Sequence, residues 1–238
     1  MPGQSVPNAS AQPKKRSRCR IVVLSSPKGG TGKTTFAMNF LSLASREGHK
    51  CLGVDLDPQE TLVKWARRRD VTAEKCTELP MFDVLPAPIT QWQQVLEASQ
   101  QYDIAIIDML PSVDHCISEV HGLCQAADLV LVPTGATMND LDSNMPWITQ
   151  LNNLGFRVAA CLNRANRREV FFEAARGELN GIGRLCPVEV RYLTDAHSPH
   201  IDGLAAVDKV KSKSGADFES VWRYVSREIG VVEKAVVT

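Results

Sequence analysis

What this sequence does not contain narrows it first. No apolar run approaches the roughly 20 residues needed to span a bilayer, and the opening residues carry Pro, Ser, Lys and Arg without a hydrophobic leader segment. A cytoplasmic location is therefore expected. Charge of neither sign is in excess: Lys and Arg total 27 against 27 Asp and Glu, so attraction to nucleic acid or acidic lipid has to come from local patches. The seven cysteines (Cys19, Cys51, Cys76, Cys116, Cys124, Cys161, Cys186) are odd in number, scattered and never spaced C-x-x-C, which argues against a disulfide framework or a zinc site. Most are expected as small buried apolar residues. The histidines lack ligand spacing as well; His115 and His121, for example, lie six apart.

What is present fits one globular domain with a large core, since 44% of the 238 residues are hydrophobic and 23% charged. Residues 1–19 read as a flexible arm, with Pro2, Pro7 and Pro13 among polar residues, closing in Lys14, Lys15, Arg16, Arg18 and Arg20. Residues 20–238 form the domain. There, short β-branched runs alternate with longer amphipathic stretches, which predicts strand, crossover helix and parallel strand. Strands are predicted at Ile21–Ser25, Cys51–Asp55, Met81–Leu85, Ile104–Asp108, Leu129–Pro133, Arg157–Leu162 and Val188–Tyr192. Several are apolar without alternation, the pattern of strands covered on both faces. Helices are predicted at Lys33–Glu47, Gln59–Arg69, Gln91–Gln101, Ser112–Gln125, Leu141–Leu154, Arg168–Leu179 and Phe218–Ile229. The fold class is α/β, a mostly parallel sheet with helices on both faces.

Directly after the first strand comes Lys28-Gly29-Gly30-Thr31-Gly32-Lys33-Thr34-Thr35, opening a helix, which is the context of a phosphate-binding loop. Glycines allow backbone N–H groups to turn toward phosphates, and the helix beyond them adds its partial positive end. Lys33 supplies a point charge to the β- and γ-phosphates, the Thr34 hydroxyl is placed to ligate Mg2+, and Thr35 assists at the α-phosphate. Two carboxylates stand at the end of the second strand, Asp55 and Asp57, where an acid can orient a water for in-line attack. A further apolar strand ends in Asp108, which should hold a Mg2+-bound water. ATP and Mg2+ are the expected cofactors.

The loop departs from the general G-x-x-x-x-G-K-[ST] pattern, because position 27 is Pro and position 28 Lys. In this it resembles the deviant Walker A motif K-G-G-x-G-K-[ST]-[ST] of the ParA/MinD family, matched at every fixed position. Val54-Asp55-Leu56-Asp57-Pro58-Gln59 resembles the family's D-x-D-P-Q signature, and Asn163-Arg164 is similar to the dipeptide that contacts adenine in relatives. After Asp108 the family usually shows D-x-P-P, whereas Asp108-Met109-Leu110-Pro111 keeps only the second proline. The resemblance implies that Lys28 reaches across a dimer interface to the other subunit's nucleotide, that Asp57 orients the attacking water with Asp55 in support, and that Asn163 contacts the base. It implies an ATPase with slow turnover, a homodimer when ATP-bound that binds DNA without sequence preference and associates with the nucleoid, and a ParB-like or cargo-adaptor partner that stimulates hydrolysis.

Candidates for the DNA surface are Arg164, Arg167 and Arg168, then Arg191, then Lys209, Lys211 and Lys213; each cluster is equally readable as a solvated face. So is Lys64, Arg67, Arg68 and Arg69 on a predicted helix, and the basic arm serves DNA affinity or solubility. MinD-like members bind membrane through a terminal amphipathic helix. Here Phe218, Val221, Trp222, Val225 and Ile229 read instead as a helix packed on the sheet, and membrane binding is not expected. Two other classes stay open: an electron-transfer reductase resembling the nitrogenase iron protein, against which stands Pro111 where a cluster cysteine is needed, and an ATP-binding scaffold with little turnover.

Overall fold

The computed structural model describes residues 18–112 and 115–231; the basic arm, apart from its last two residues, and the tail after Val231 lie outside them. The chain alternates strand and helix: β1 Arg20–Leu24, α1 Lys33–Arg46, β2 Cys51–Asp55, α2 Thr61–Ala73, β3 Asp83–Pro86, α3 Trp92–Ser99, β4 Ile104–Asp108, α4 Ile117–Ala126, β5 Leu129–Thr134, α5 Met138–Asn153, β6 Val158–Leu162, α6 Phe172–Ile182, β7 Arg184–Leu185 and α7 Lys213–Glu228. The strands form one seven-stranded parallel sheet in the order β3-β2-β4-β1-β5-β6-β7.

Both faces are covered, which explains the unbroken apolar strands. Along β1, Ile21 and Val23 enter one core with Val120, Leu123, Trp147 and Phe172 from α4, α5 and α6. Val22 and Leu24 enter the other with residues of α1, α2 and α7. On that second face Phe36, Phe40, Phe218 and Trp222 meet at ring distances of 5.6, 5.1 and 5.2 Å, so the apolar stripe of α7 is packed on the sheet side as its spacing predicts. Each such side chain contributes about 1.5–3 kcal/mol by leaving water.

The seventh predicted strand, Val188–Tyr192, is not one. The edge strand is instead Arg184–Leu185, and the ladder stops at Pro187, which has no N–H to donate. Residues 188–192 cross the end of β6, held by Val190 N–H to the Leu162 oxygen and by a single bridge of Arg191 with Ala165. Helices α4 and α6 begin later than predicted, and α5 and α7 earlier; Thr137 and Ser212 cap α5 and α7, accepting from the amides of Asp140 and Gly215. Arg69 does not belong to a surface cluster. It is 1% exposed, pairs with Asp208 at 2.6 Å and lies against the rings of Trp65 and Phe82.

Strand register places the acids. Leu24 pairs with Asp108 and Asp108 with Asp55, so β1, β4 and β2 finish level. The strand order steps one way from β1 to β3 and the other way from β4 to β7, so the crevice of an open α/β sheet lies at the end of β1.

Candidate nucleotide-binding site

Into that crevice β1 delivers the glycine-rich loop. Gly30 and Gly32 have φ of +77° and +105°, in the left-handed region glycine tolerates. At Gly32 space is also lacking: a Cβ would lie 2.2 Å from Asn163 Nδ2. That amide donates to the Thr31 oxygen at 2.7 Å, so the residue expected at the base fastens the loop to the end of β6. Its neighbour Arg164 is exposed, with φ of +54°.

Lys33 starts α1 and is buried, with its ammonium directed back at the Ser26 and Lys28 oxygens, 3.4 and 3.3 Å away. Burial lowers its pKa, while Asp108 and Asp57 act in the opposite sense. Asp108 is 1% exposed, and neither carboxylate oxygen has a hydrogen-bond partner of ordinary geometry. Burial pushes its carboxyl up to about 7, with the Thr34 hydroxyl drawing it down. A buried acid without partners, beside a hydroxyl and a lysine, is a donor set suited to a hard divalent cation, and Thr34 and Asp108 fit Mg2+.

The two acids at the end of β2 differ in their partners. Asp55 accepts from the amides of Leu62 at 2.8 Å, Val63 at 3.2 Å and Asp57 at 3.1 Å, fixing the start of α2. Burial raises its pKa although all three amides oppose this. Asp57 is half-buried and accepts from Gln59 N–H at 2.9 Å, which orients its carboxylate at the mouth of the crevice. Pro58, Glu60, Pro86 and Pro88 line the adjoining hollow with both acids.

Lys28 is held in cis. Its Nζ lies 2.7 Å from Asp140 Oδ1, and Thr137 donates to the other oxygen at 2.7 Å. Burial favours the neutral acid, but the Lys28 and Thr137 hydrogen bonds hold the Asp140 carboxyl below its usual range. Gly135 makes room, since a Cβ there would stand 2.1 Å from Asp140 Oδ2. Asp140 is a neighbour of the loop that motif reading misses, because its contact with Lys28 joins residues 112 positions apart.

Among the residues expected at a DNA surface, Arg167 pairs with Glu189 and Arg191 makes a bidentate contact with Asp217, both oxygens at 2.8 Å from its nitrogens. Arg164, Arg168, Lys209, Lys211 and Lys213 are exposed. Arg164, Arg167, Arg168 and Arg191 share one concavity with the exposed ring of Tyr192. Arg191 also bonds the Lys213 oxygen at 3.1 Å, which ties that concavity to the start of α7.

A parallel α/β sheet with a glycine-rich loop at its switch point, a buried loop lysine and an orphaned acid on the neighbouring strand defines a P-loop nucleotide-binding protein. Residues 22–185 match the CobQ/CobB/MinD/ParA nucleotide-binding domain, and the chain belongs to that family. Maintenance of carboxysome distribution protein A from Gloeobacter kilaueensis is 32% identical over 123 residues, 51% of this chain and 52% of that protein. Chromosome partitioning protein ParA from Caulobacter vibrioides is 27% identical over 180 residues, 60% and 65% of the two. With 52% of the Gloeobacter protein matched and 47% of a probable plasmid-partitioning ParA from Thermus thermophilus, the chain spans about half the length of such relatives. The fold is that of MinD from Pyrococcus horikoshii complexed with Mg-ADP, with a TM-score of 0.73 over 92% of this chain and 100% of that one at 20% identity. It is equally that of an ATP complex of a Cyanothece McdA variant, TM-score 0.71 over 93% and 100% at 18% identity.

Proposed function

We propose that this protein is an ATPase that binds ATP with Mg2+, dimerises in that state, binds DNA without sequence preference, and partitions or positions a cargo with a partner that stimulates hydrolysis. The observation that supports this most is the level ending of β1, β2 and β4, which gathers Lys33 of α1, Asp108 of β4 and Asp57 from the turn after β2 around one crevice. Loop amides and Lys33 would take the β- and γ-phosphates, and Asn163, beside the loop, the base. Held by Thr34 and Asp108, Mg2+ would neutralise charge that builds up on the phosphates. Asp57 would orient the attacking water, with Asp55 acting through the start of α2 rather than on water itself.

Lys28 then has two addresses: Asp140 within its own subunit, and the nucleotide of a second copy across the dimer interface. Exposed Arg164, Arg168, Lys209, Lys211 and Lys213 would carry the DNA contacts and nucleoid association, with Arg167 and Arg191 shaping that surface from their ion pairs. The relatives named for carboxysome distribution and chromosome partition support a positioning role. The test is titration with Mg-ATP and phosphate release. Lys33→Ala should lose nucleotide binding, and Asp57→Ala should bind ATP but release no phosphate; unchanged affinity in the first variant refutes the assignment.

A further inference from the structure

The loop bearing Lys28 and Lys33 is fastened from outside by an amide that no nucleotide motif contains. Asn144 lies in α5, on the face shared with Leu141, Trp147, Ile148 and Leu151, and is fully buried. An amide in such surroundings is costly unless its polar atoms are paired, and here both are. Donor directions follow from elementary chemistry. The Asp140 main-chain oxygen can only accept, so Asn144 Nδ2 is the atom 3.0 Å from it, and the same nitrogen donates to Thr134 Oγ1 at 3.0 Å. Asn144 Oδ1 therefore accepts from the Ser26 hydroxyl at 2.8 Å. With its single proton committed there, Ser26 Oγ accepts the Lys28 N–H at 3.3 Å. Ser26, Thr134 and Asn144 are all completely buried.

The main-chain oxygens of Ser26 and Lys28 are also the two that hold the Lys33 ammonium. One helix thus grips the loop twice: through Asp140 on the Lys28 side chain, and one turn later through Asn144 on the backbone between β1 and the glycines. The first grip has to open if Lys28 moves to a nucleotide. The second runs through the side chains of Ser26, Asn144 and Thr134, which lie outside the glycine-rich loop.

We propose that Asn144 is a positioning residue for nucleotide binding: by way of Ser26 it sets the turn 26–28, and so the direction of the Lys28 amide and the seat of Lys33. This rests on the nucleotide-binding reading above. An apolar residue of similar size would serve the packing of α5 without these bonds, so packing alone does not require Asn144.

Binding of the fluorescent analogue mant-ATP with Mg2+ tests it on the full chain, alongside thermal unfolding. Asn144→Ala and Ser26→Ala should each weaken binding about tenfold, the size of one buried hydrogen bond lost. The double variant should be little weaker than either single one, because both cut the same chain. Ser26→Thr, which keeps a hydroxyl, should recover most of the loss. Asn152→Ala is the control: its amide, on the same helix, donates to the Ile182 oxygen at 2.9 Å, and its loss should lower the melting temperature with affinity unchanged. Should Asn144→Ala fail to fold, Ser26→Ala decides alone, since it leaves the α5 core untouched. Unaltered mant-ATP affinity in Ser26→Ala, or fully additive losses in the double variant, overturns the proposal. A wild-type chain that does not bind mant-ATP overturns the nucleotide reading itself, and shows this before any variant is made.

Discussion

Asp108 is the side chain on which site and stability pull in opposite directions. Its folded pKa of about 7 stands above the value near 4 of an unfolded aspartate, so between those values the native state holds the proton and the unfolded chain does not. Stability contributed by that proton is present below about pH 4 and is lost as pH rises toward 7. Asp108→Asn should therefore raise stability at pH 8, by about 1–3 kcal/mol as for other buried polar groups without partners, and abolish any Mg2+ dependence of nucleotide binding. Urea titration of the two proteins at pH 5 and pH 8 checks this; a gain of equal size at both pH values would mean that charge is not the cause. Lys28 and Asp140 form a half-exposed pair, 37% and 20% open, so their contact is worth about 1 kcal/mol at most. Both subunits of the proposed ATP-bound dimer carry the change, so Asp140→Ala should shift its equilibrium by no more than about thirtyfold toward the dimer. Light scattering against concentration reads it, and a weaker dimer would show that Asp140 guides Lys28 rather than detaining it.

Among elements, those with an internal period were legible and those defined by neighbours were not. Five-residue apolar strands such as Ile104–Asp108 and the stripe of α7 declare themselves, because period and burial are written in the same residues. Val188–Tyr192 has the composition of a strand, yet Pro187 and the end of β6 leave it no ladder to join. Arg69 was unreadable for a related reason. Three successive arginines look alike on a helix, and only the packing of residues 203–208 on α2 turns one of them inward, where Gly203 has no room for a Cβ against the Arg69 amide, 2.1 Å away. Asp208→Ala would strand that guanidinium in the core, and should cost about 3–5 kcal/mol in chemical denaturation. A loss under about 1 kcal/mol would show that the Pro80 and Gly203 oxygens satisfy Arg69 by themselves.

For the molecule as a whole, balanced charge means that the proposed DNA binding would depend on a few exposed cations. Removing Arg164 and Arg168 together should weaken binding to all duplex sequences alike and flatten the salt slope by about 2, roughly one for each phosphate contact. Arg191→Ala should instead lower stability, through Asp217, with the slope nearly unchanged. Fluorescence anisotropy between low and moderate salt separates the two, and an unaltered slope in the double variant would move the surface elsewhere. By itself the sequence determined the parallel α/β architecture, the glycine-rich loop after β1 and the acids at the ends of β2 and β4, because each depends on residues adjacent in the chain, whose backbone and periodic constraints act locally. Only the tertiary structure decided that Asn163 clasps the loop, that Asp140 and Asn144 grip it from α5, and which arginines stay exposed. The grips on the loop join residues 112 to 132 positions apart, Lys28 with Asp140 at one limit and Thr31 with Asn163 at the other, and such pairings arise only when the sheet brings the ends of β1, β5 and β6 side by side.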